Sequence, residues 1–215
     1  MLNVSKGNMY PWVTHTWNPI KGKCSHDCVY CYMKRPGLIQ RPVRLEESEF
    51  KTDLGHGNFI FVGSSTDDFA ADIPDACIKR VLEYCDKFGN RYLFQTKNPE
   101  RYNGLTFPKK SILACTIETN RETAVSSAPP VRERAHFMAS YAATIMISIE
   151  PVMDFDLDNF VELLRMVRPY FVSIGADSKR HNLLEPSTDK LEELIKRLRL
   201  FTNVIIKDNL KRLRK

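Results

Sequence analysis

Apolar and polar positions along the 215-residue chain alternate between short apolar runs and longer amphipathic stretches. The runs at 58–63, 91–97, 111–118, 144–150, 171–175 and 203–207 are nearly continuous in apolar residues, as strands covered on both faces are. Between them the spacing changes to that of a helix with one apolar side. A helix opens at Ile73-Pro74-Asp75, runs to about Phe88 and stops at Gly89-Asn90. Another spans 129–141, after Pro129-Pro130 and through Val131, Ala135 and Met138. A third, at 156–167, lines up Leu157, Phe160, Val161, Leu164 and Val167. The fourth, at 187–200, takes Ser187 or Thr188 as its cap and turns Leu191, Leu194, Ile195 and Leu198 inward. Residues 98–102 form a short helical turn. Upstream, residues 10–17 are rich in strand formers and predict a first strand that Asn18-Pro19 breaks. Tyr32-Met33-Lys34-Arg35 start a helix that Pro36-Gly37 stop, and 36–57 is mostly irregular with a polar helix around 46–51.

This alternation predicts an α/β fold, and the right-handed crossover rule leaves an open sheet or a barrel. A complete eight-unit barrel takes roughly 250 residues, so the expectation is a partial parallel barrel of about six or seven strands, a (β/α)6-type TIM-like arrangement in one domain over residues 1–215. Composition does not disturb that picture: 43% hydrophobic and 27% charged residues are ordinary for a globular chain. The net charge of +6 admits an anionic partner without requiring one. Much of the excess is local, in Lys196, Arg197 and Arg199 and then Lys207, Lys211, Arg212, Arg214 and Lys215, and is read as a solvated helix face and tail. No apolar run is long enough to span a bilayer, and residues 1–9 carry no signal-peptide core, so a cytoplasmic protein without a membrane partner is expected.

Chemistry enters with Cys24-Ser25-His26-Asp27-Cys28-Val29-Tyr30-Cys31. Six cysteines in such a chain point to metal or thiol chemistry rather than a disulfide framework. Three thiolates on one loop with no fourth beside them suit a cubane iron–sulfur cluster held by three irons, its fourth iron open to an amine and a carboxylate. The competing reading is zinc, with His26, His15 or His56 as the fourth ligand, but structural zinc usually takes two paired knuckles and only one Cys-x2-Cys pair is present. Cys77 and Cys85 share one predicted helix and fit poorly as distant ligands. The predicted strand ends are polar: Ser64, Ser65, Thr66 and Asp67; Gln95, Thr96 and Lys97; Thr116 and Glu118; Ser148 and Glu150; Asp177 and Ser178; Lys207 and Asp208. In a parallel barrel those ends meet at one rim, where sites are built from residues remote in sequence. Loops being polar explains part of the pattern, but less well the glutamates and lysines set directly at the ends of apolar runs.

The Cys-x3-Cys-x2-aromatic-Cys loop resembles the signature of the radical S-adenosylmethionine (radical SAM) superfamily. The segments 61–69 and 95–101 resemble strand motifs of its branch that contains spore photoproduct lyase. A family of phage and bacterial proteins of undefined function is more similar still. It shares Thr16-Trp17-Asn18-Pro19, the cysteine loop, Thr66-Asp67, Thr96-Lys97-Asn98-Pro99-Glu100-Arg101, Ser148-Ile149-Glu150-Pro151 and Ile174-Gly175, over nearly the whole chain. The resemblance implies that Cys24, Cys28 and Cys31 ligate a 4Fe-4S cluster and that Tyr30 lies near the adenine of SAM. Gly63, Ser64 and Ser65 stand where many members have Gly-Gly-Glu for the SAM amine; this chain departs from that triplet, and Ser64, Ser65 or Asp67 would substitute. Lys97 would meet the SAM carboxylate, as charge pairing also favours. Glu118 would accept the ribose hydroxyls, and Glu150 and Asp177 would face SAM or substrate.

The mechanism implied is one-electron reduction of SAM by the cluster, cleavage of a carbon–sulfur bond, and abstraction of a substrate hydrogen atom by the resulting 5′-deoxyadenosyl radical, with the protein binding, orienting and excluding water. The electron donor lies outside the chain. Cys115, on a predicted strand lining the barrel, is a candidate hydrogen donor, set against its reading as a small buried hydrophobe. The substrate is unidentified, with nucleic acid or a protein-presented group both compatible. The alternative is a zinc- or cluster-containing nucleic-acid-binding protein without catalysis, using the basic tail and the aromatics Tyr10, Trp12, Trp17, Tyr30 and Tyr32.

Overall fold

The structure, a computed structural model, describes residues 1–34 and 41–214. In chain order the strands and helices are β1 (Asn3–Val4), β2 (His15–Trp17), β3 (Ile20–Lys21), β4 (Arg44–Leu45), β5 (Phe59–Val62), α1 (Asp75–Asp86), β6 (Arg91–Thr96), β7 (Ser111–Thr116), α2 (Val131–Ser140), β8 (Thr144–Ile149), α3 (Leu157–Val167), β9 (Phe171–Ile174), α4 (Thr188–Leu198) and β10 (Asn203–Ile206). Among the described residues the main sheet has eight strands in the order β1-β2-β5-β6-β7-β8-β9-β10. Only β1 is antiparallel, which leaves seven parallel strands in an open, partial barrel. The small β3–β4 ribbon stands apart from it.

Alternation along the strands sorts side chains between two cores. On the outer face Ile60, Phe94, Cys115, Ile147 and Val172 meet the apolar stripes of the helices, among them Phe160, Val161, Leu164 and Val167 of α3 and Leu191, Leu194 and Leu198 of α4. Ser187 caps α4 as expected, its hydroxyl accepting from the Lys190 amide at 3.3 Å. On the inner face Leu93, Ala114, Met146 and Phe171 pack with Tyr10 and Val13.

Two expectations for the N-terminal part change. The strand expected over 10–17 shrinks to His15–Trp17, because Tyr10 and Trp12 turn into the barrel instead. Tyr10 Oη donates within hydrogen-bond distance of Gln95 Oε1 (2.8 Å) and Ser148 Oγ (2.9 Å), and the Trp12 ring stacks on it. Residues 32–34 form a turn rather than a helix start, and Arg35 to Gly37 lie outside the described residues. Elsewhere the strands end one or two residues early. The residues shed from the strand ends include Lys97, Glu118, Glu150 and Lys207, which leave the ladder to build the rim.

The basic stretch near the C-terminus is more paired than a solvated tail. Lys207 is buried, while Arg212 and Arg214 form ion pairs with Glu185 and Glu192. Among the described residues no helix is long and apolar enough to cross a membrane.

Candidate functional site

The cysteine loop follows β3 and lies at the carboxyl ends of the parallel strands. It is fastened by backbone bonds from Val29 N to Val125 O (2.8 Å) and from Ser127 N to His26 O (2.7 Å). Its anchor is His26, buried, whose Nε2 lies 3.0 Å from Asp67 Oδ2. Asp67 also accepts from Thr96 Oγ1 (3.0 Å), the Lys97 amide (2.8 Å) and the Phe69 amide (3.0 Å). Burial opposes its ionisation, but the His26 bond and charge and these amides hold its carboxyl below the usual range. Asp67 therefore ties the loop to the ends of β5 and β6, and its oxygens are engaged within the protein.

All six cysteines are free thiols; Cys28 is buried and Cys24 and Cys31 are half-buried. Burial, with Asp67 nearby, pushes the Cys24 thiol up to about 12, and burial raises Cys28 as well. Among the described residues no three histidine, cysteine, aspartate or glutamate side chains are gathered closely enough to hold a metal ion. The donor set, three thiols on one pinned loop, fits a cluster held through three cysteines, provided the sulfurs converge and deprotonate on binding. It fits zinc less well. His26, the histidine inside the loop, is committed to Asp67, and His15 Nδ1 sits 2.9 Å from Thr14 Oγ1.

Beside the loop lies a buried charge cluster. Glu118 Oε1 receives both Lys97 Nζ and Tyr30 Oη, and Lys97 Nζ also contacts Tyr30 Oη and sits 4.9 Å from the centre of its ring. The other oxygen, Oε2, accepts from Arg134 Nη1 at 2.9 Å. Arg134 is itself fixed by Thr116 O (2.7 Å) and Pro129 O (2.8 Å). Burial disfavours the Glu118 carboxylate, yet the charges of Lys97 and Arg134 and the bonds from Lys97 and Tyr30 bring its pKa down to about 2. The structure thus brings Tyr30, Lys97 and Glu118 together and adds Arg134, which the sequence reading did not single out.

Glu150 sits on the other side of the rim. Its oxygens accept from Lys207 Nζ (2.7 Å), Asn8 Nδ2 (2.8 Å) and Asn209 Nδ2 (2.8 Å). Gly175 lies beneath it: a Cβ there would come within 2.5 Å of the carboxylate and would have to displace it. Asp177 is turned to its own loop, binding the His181 ring at 2.7 Å and the Lys179 amide at 3.1 Å. At the end of β5, Asn18 Oδ1 takes the Ser64 hydroxyl (3.1 Å) and the Ser65 amide (2.9 Å), and Gly63 adopts φ +74°. The carboxyl of Asp68 fills the space that a Gly63 side chain would need. Cys115 is not brought to the rim: it is fully buried on the outer face, toward the helices, with burial raising its thiol to about 12. A cavity of about 1170 Å³ opens at the opposite end of the strands between Phe107, Tyr141, Tyr170 and Leu200 and holds none of these groups.

The fold and site define a parallel α/β partial barrel with a three-cysteine loop and buried charge clusters at its carboxyl-end rim. Solved structures share this fold. A spore photoproduct lyase variant with bound AdoMet and dinucleoside spore photoproduct superposes with a TM-score of 0.64 at 13% identity, covering 93% of this chain and 78% of that one. Another, a spore photoproduct lyase complexed with dinucleoside spore photoproduct, gives 0.59 at 13% identity over 94% and 78%. Streptococcus suis SuiB bound to S-adenosylmethionine gives 0.57 at 11% identity over 89% of this chain and 49% of that one. At these identities the likeness is one of fold, and it agrees with the partial barrel expected from the sequence. No family model and no curated protein matches the chain.

Proposed function

We propose that this chain is a radical SAM enzyme, with Cys24, Cys28 and Cys31 holding a 4Fe-4S cluster and SAM seated against the neighbouring rim. The observation that carries this reading is the three-thiol loop, whose own Tyr30 joins Lys97 and Glu118, groups remote from it in sequence, in one buried cluster. Support comes from the shared fold with structures that contain AdoMet or S-adenosylmethionine. When bound, cluster and SAM supply one-electron cleavage of a carbon–sulfur bond and, through it, hydrogen-atom abstraction from a substrate.

The chain's own residues bind and orient. Lys97 offers an ammonium to the SAM carboxylate, Glu118 accepts ribose hydroxyls, and Tyr30 gives an aromatic face to the adenine. Gly63, Ser64 and Ser65 form the strand end that receives the SAM amine, with Asp67 holding that end against the loop. Glu150 lies beyond them as the wall toward substrate, and Tyr10 closes the barrel below, keeping water from the site. For the substrate the reading favours nucleic acid, on the dinucleoside bound in the first neighbour and the net charge of +6. The electron comes from a separate reductant.

The test is anaerobic reconstitution, followed by measurement of iron, sulfide and 5′-deoxyadenosine formed from SAM under reduction. About four irons and four sulfides per chain are expected, with SAM cleavage abolished in Cys28→Ala. Zinc in place of iron, or a loaded cluster that never cleaves SAM, overturns the reading. An oligonucleotide that leaves the rate of SAM cleavage unchanged counts against nucleic acid as substrate.

A further inference from the structure

The Glu118 cluster holds two cations and one carboxylate, so as folded it carries an excess of positive charge in a buried place. The two cations are not equivalent. Arg134 is locked by three acceptors, Glu118 Oε2, Thr116 O and Pro129 O, at 2.7 to 2.9 Å. Its side chain is 5% exposed and rises from the first turn of α2. Lys97 has no backbone carbonyl holding its ammonium, which meets only Glu118 Oε1 and the Tyr30 hydroxyl among the hydrogen-bond partners described; its own amide is tied to Asp67, and its side chain is the more exposed of the two, at 11%. If Lys97 swings away to an anion, Glu118 keeps a charged partner. Had Lys97 been its sole cation, the same motion would strand a carboxylate 2% exposed, at a large desolvation cost.

We propose that Arg134 is a positioning residue for cofactor binding: it holds Glu118 in place so that Lys97 can exchange that carboxylate for the carboxylate of SAM. This rests on the functional reading above. Nothing in the local sequence marks Arg134 for the task, since a basic residue in a helical first turn ordinarily faces water; here it is buried and aimed at the rim. The exchange is one of ion-pair partners, with no covalent step. It leaves Glu118 anchored where it accepts hydroxyl donors from the same ligand. Removing Arg134 makes Lys97 indispensable to Glu118, and the ligand must then compete with a buried ion pair.

The experiment is a double-mutant cycle on SAM affinity, measured by anaerobic calorimetry with the cluster-loaded protein. Arg134→Gln is expected to weaken SAM binding by about tenfold or more. In a Glu118→Gln background the same substitution is expected to change affinity by less than about twofold, because the carboxylate that Lys97 would be unable to leave is gone. If Arg134→Gln does not fold, Arg134→Lys carries the same cycle; its smaller loss must also vanish beside Glu118→Gln. Equal losses in both backgrounds mean that Arg134 merely braces Thr116 and Pro129, and they overturn the inference, as does wild-type affinity in Arg134→Gln. A wild-type chain that loads iron but binds no SAM overturns the functional reading, and this inference falls with it. Wild-type binding with an uncoupled Arg134 overturns this inference alone.

Discussion

Glu118 and Glu150 lie just beyond neighbouring strands at the same rim, and both are partly or wholly withdrawn from water, yet they are neutralised in different ways. Glu118 faces two cations, Lys97 and Arg134, plus the Tyr30 hydroxyl. Glu150 faces one cation, Lys207, and two side-chain amides, Asn8 and Asn209. Lys207 is further held by the Asn8 carbonyl and lies 4.6 Å from the centre of the Tyr10 ring, so it is part of the barrel's closure. The first arrangement can release a cation and remain paired; the second cannot. The difference separates a side of the rim suited to exchanging partners with a ligand from a side built to stay shut.

The largest effect should come from removing the shared acid. Glu118→Leu leaves Lys97 and Arg134 buried together without a counter-charge, and a loss of about 4 kcal/mol or more is expected in urea unfolding. A loss under about 1 kcal/mol would mean that water or a rearranged side chain already solvates the cluster, and the contrast with Glu150 would dissolve.

Removing one cation from each side tests the asymmetry directly. Lys207→Met leaves Glu150 with amides alone and is expected to cost about 3 kcal/mol. Lys97→Met leaves Glu118 still paired with Arg134 and is expected to stay within about 1 kcal/mol of wild type, while weakening SAM binding. Equal costs at the two lysines, measured in the same unfolding series, would refute the division of the rim.

How much of this was legible beforehand follows from what each feature leaves in the sequence. Strands buried on both faces must be continuous apolar runs, so β5 to β10 stood out, and the α3 and α4 stripes stood out by period. Lys97, Glu118 and Glu150 were visible because a charge at the end of an apolar run needs a reason. Tyr10 and Trp12 misled, because aromatic residues that plug a barrel have the same strand propensity as residues in a strand. Arg134 left no signal at all. Its partner lies 16 residues away on another element, and a helix surface reads as solvated until the tertiary fold buries it. Cys115 shows the period-2 trap: its neighbours Ala114 and Thr116 sit on the inner face, so it falls on the outer one.

Acid sharpens the comparison by a smaller amount. The Glu118 pKa is lowered from 4.5 to about 2, so its stabilising contribution is fully present above the unfolded value. That contribution is lost progressively as pH falls from about 5 to about 2. The groups facing this carboxyl are Lys97, Tyr30, Arg134, Cys28 and Cys115. Glu118→Gln should therefore flatten part of the acid limb of a stability–pH curve between those limits. A limb as steep as wild type would show that other carboxylates dominate it.

The smallest expected effect concerns a third carboxyl, which neither cation cluster serves. Asp68 is 3% exposed, and neither of its side-chain oxygens has a hydrogen-bond partner. Burial, with Asp67 alongside, raises its pKa well above the ordinary value. The sign is opposite to that of Glu118. The folded chain keeps a proton on Asp68 that the unfolded chain has lost above about pH 4, so its effect on stability becomes unfavourable as pH rises. Asp68→Asn removes that term while keeping the shape against Gly63. The variant is expected to gain on wild type progressively as pH rises from about 4 to about 8. The measurement is chemical unfolding of both proteins at each pH. A difference that does not change with pH would mean that Asp68 is ionised in the folded chain and paired there through a bound water or cation, which would make the β5 end a second place at the rim where charge is balanced by a ligand.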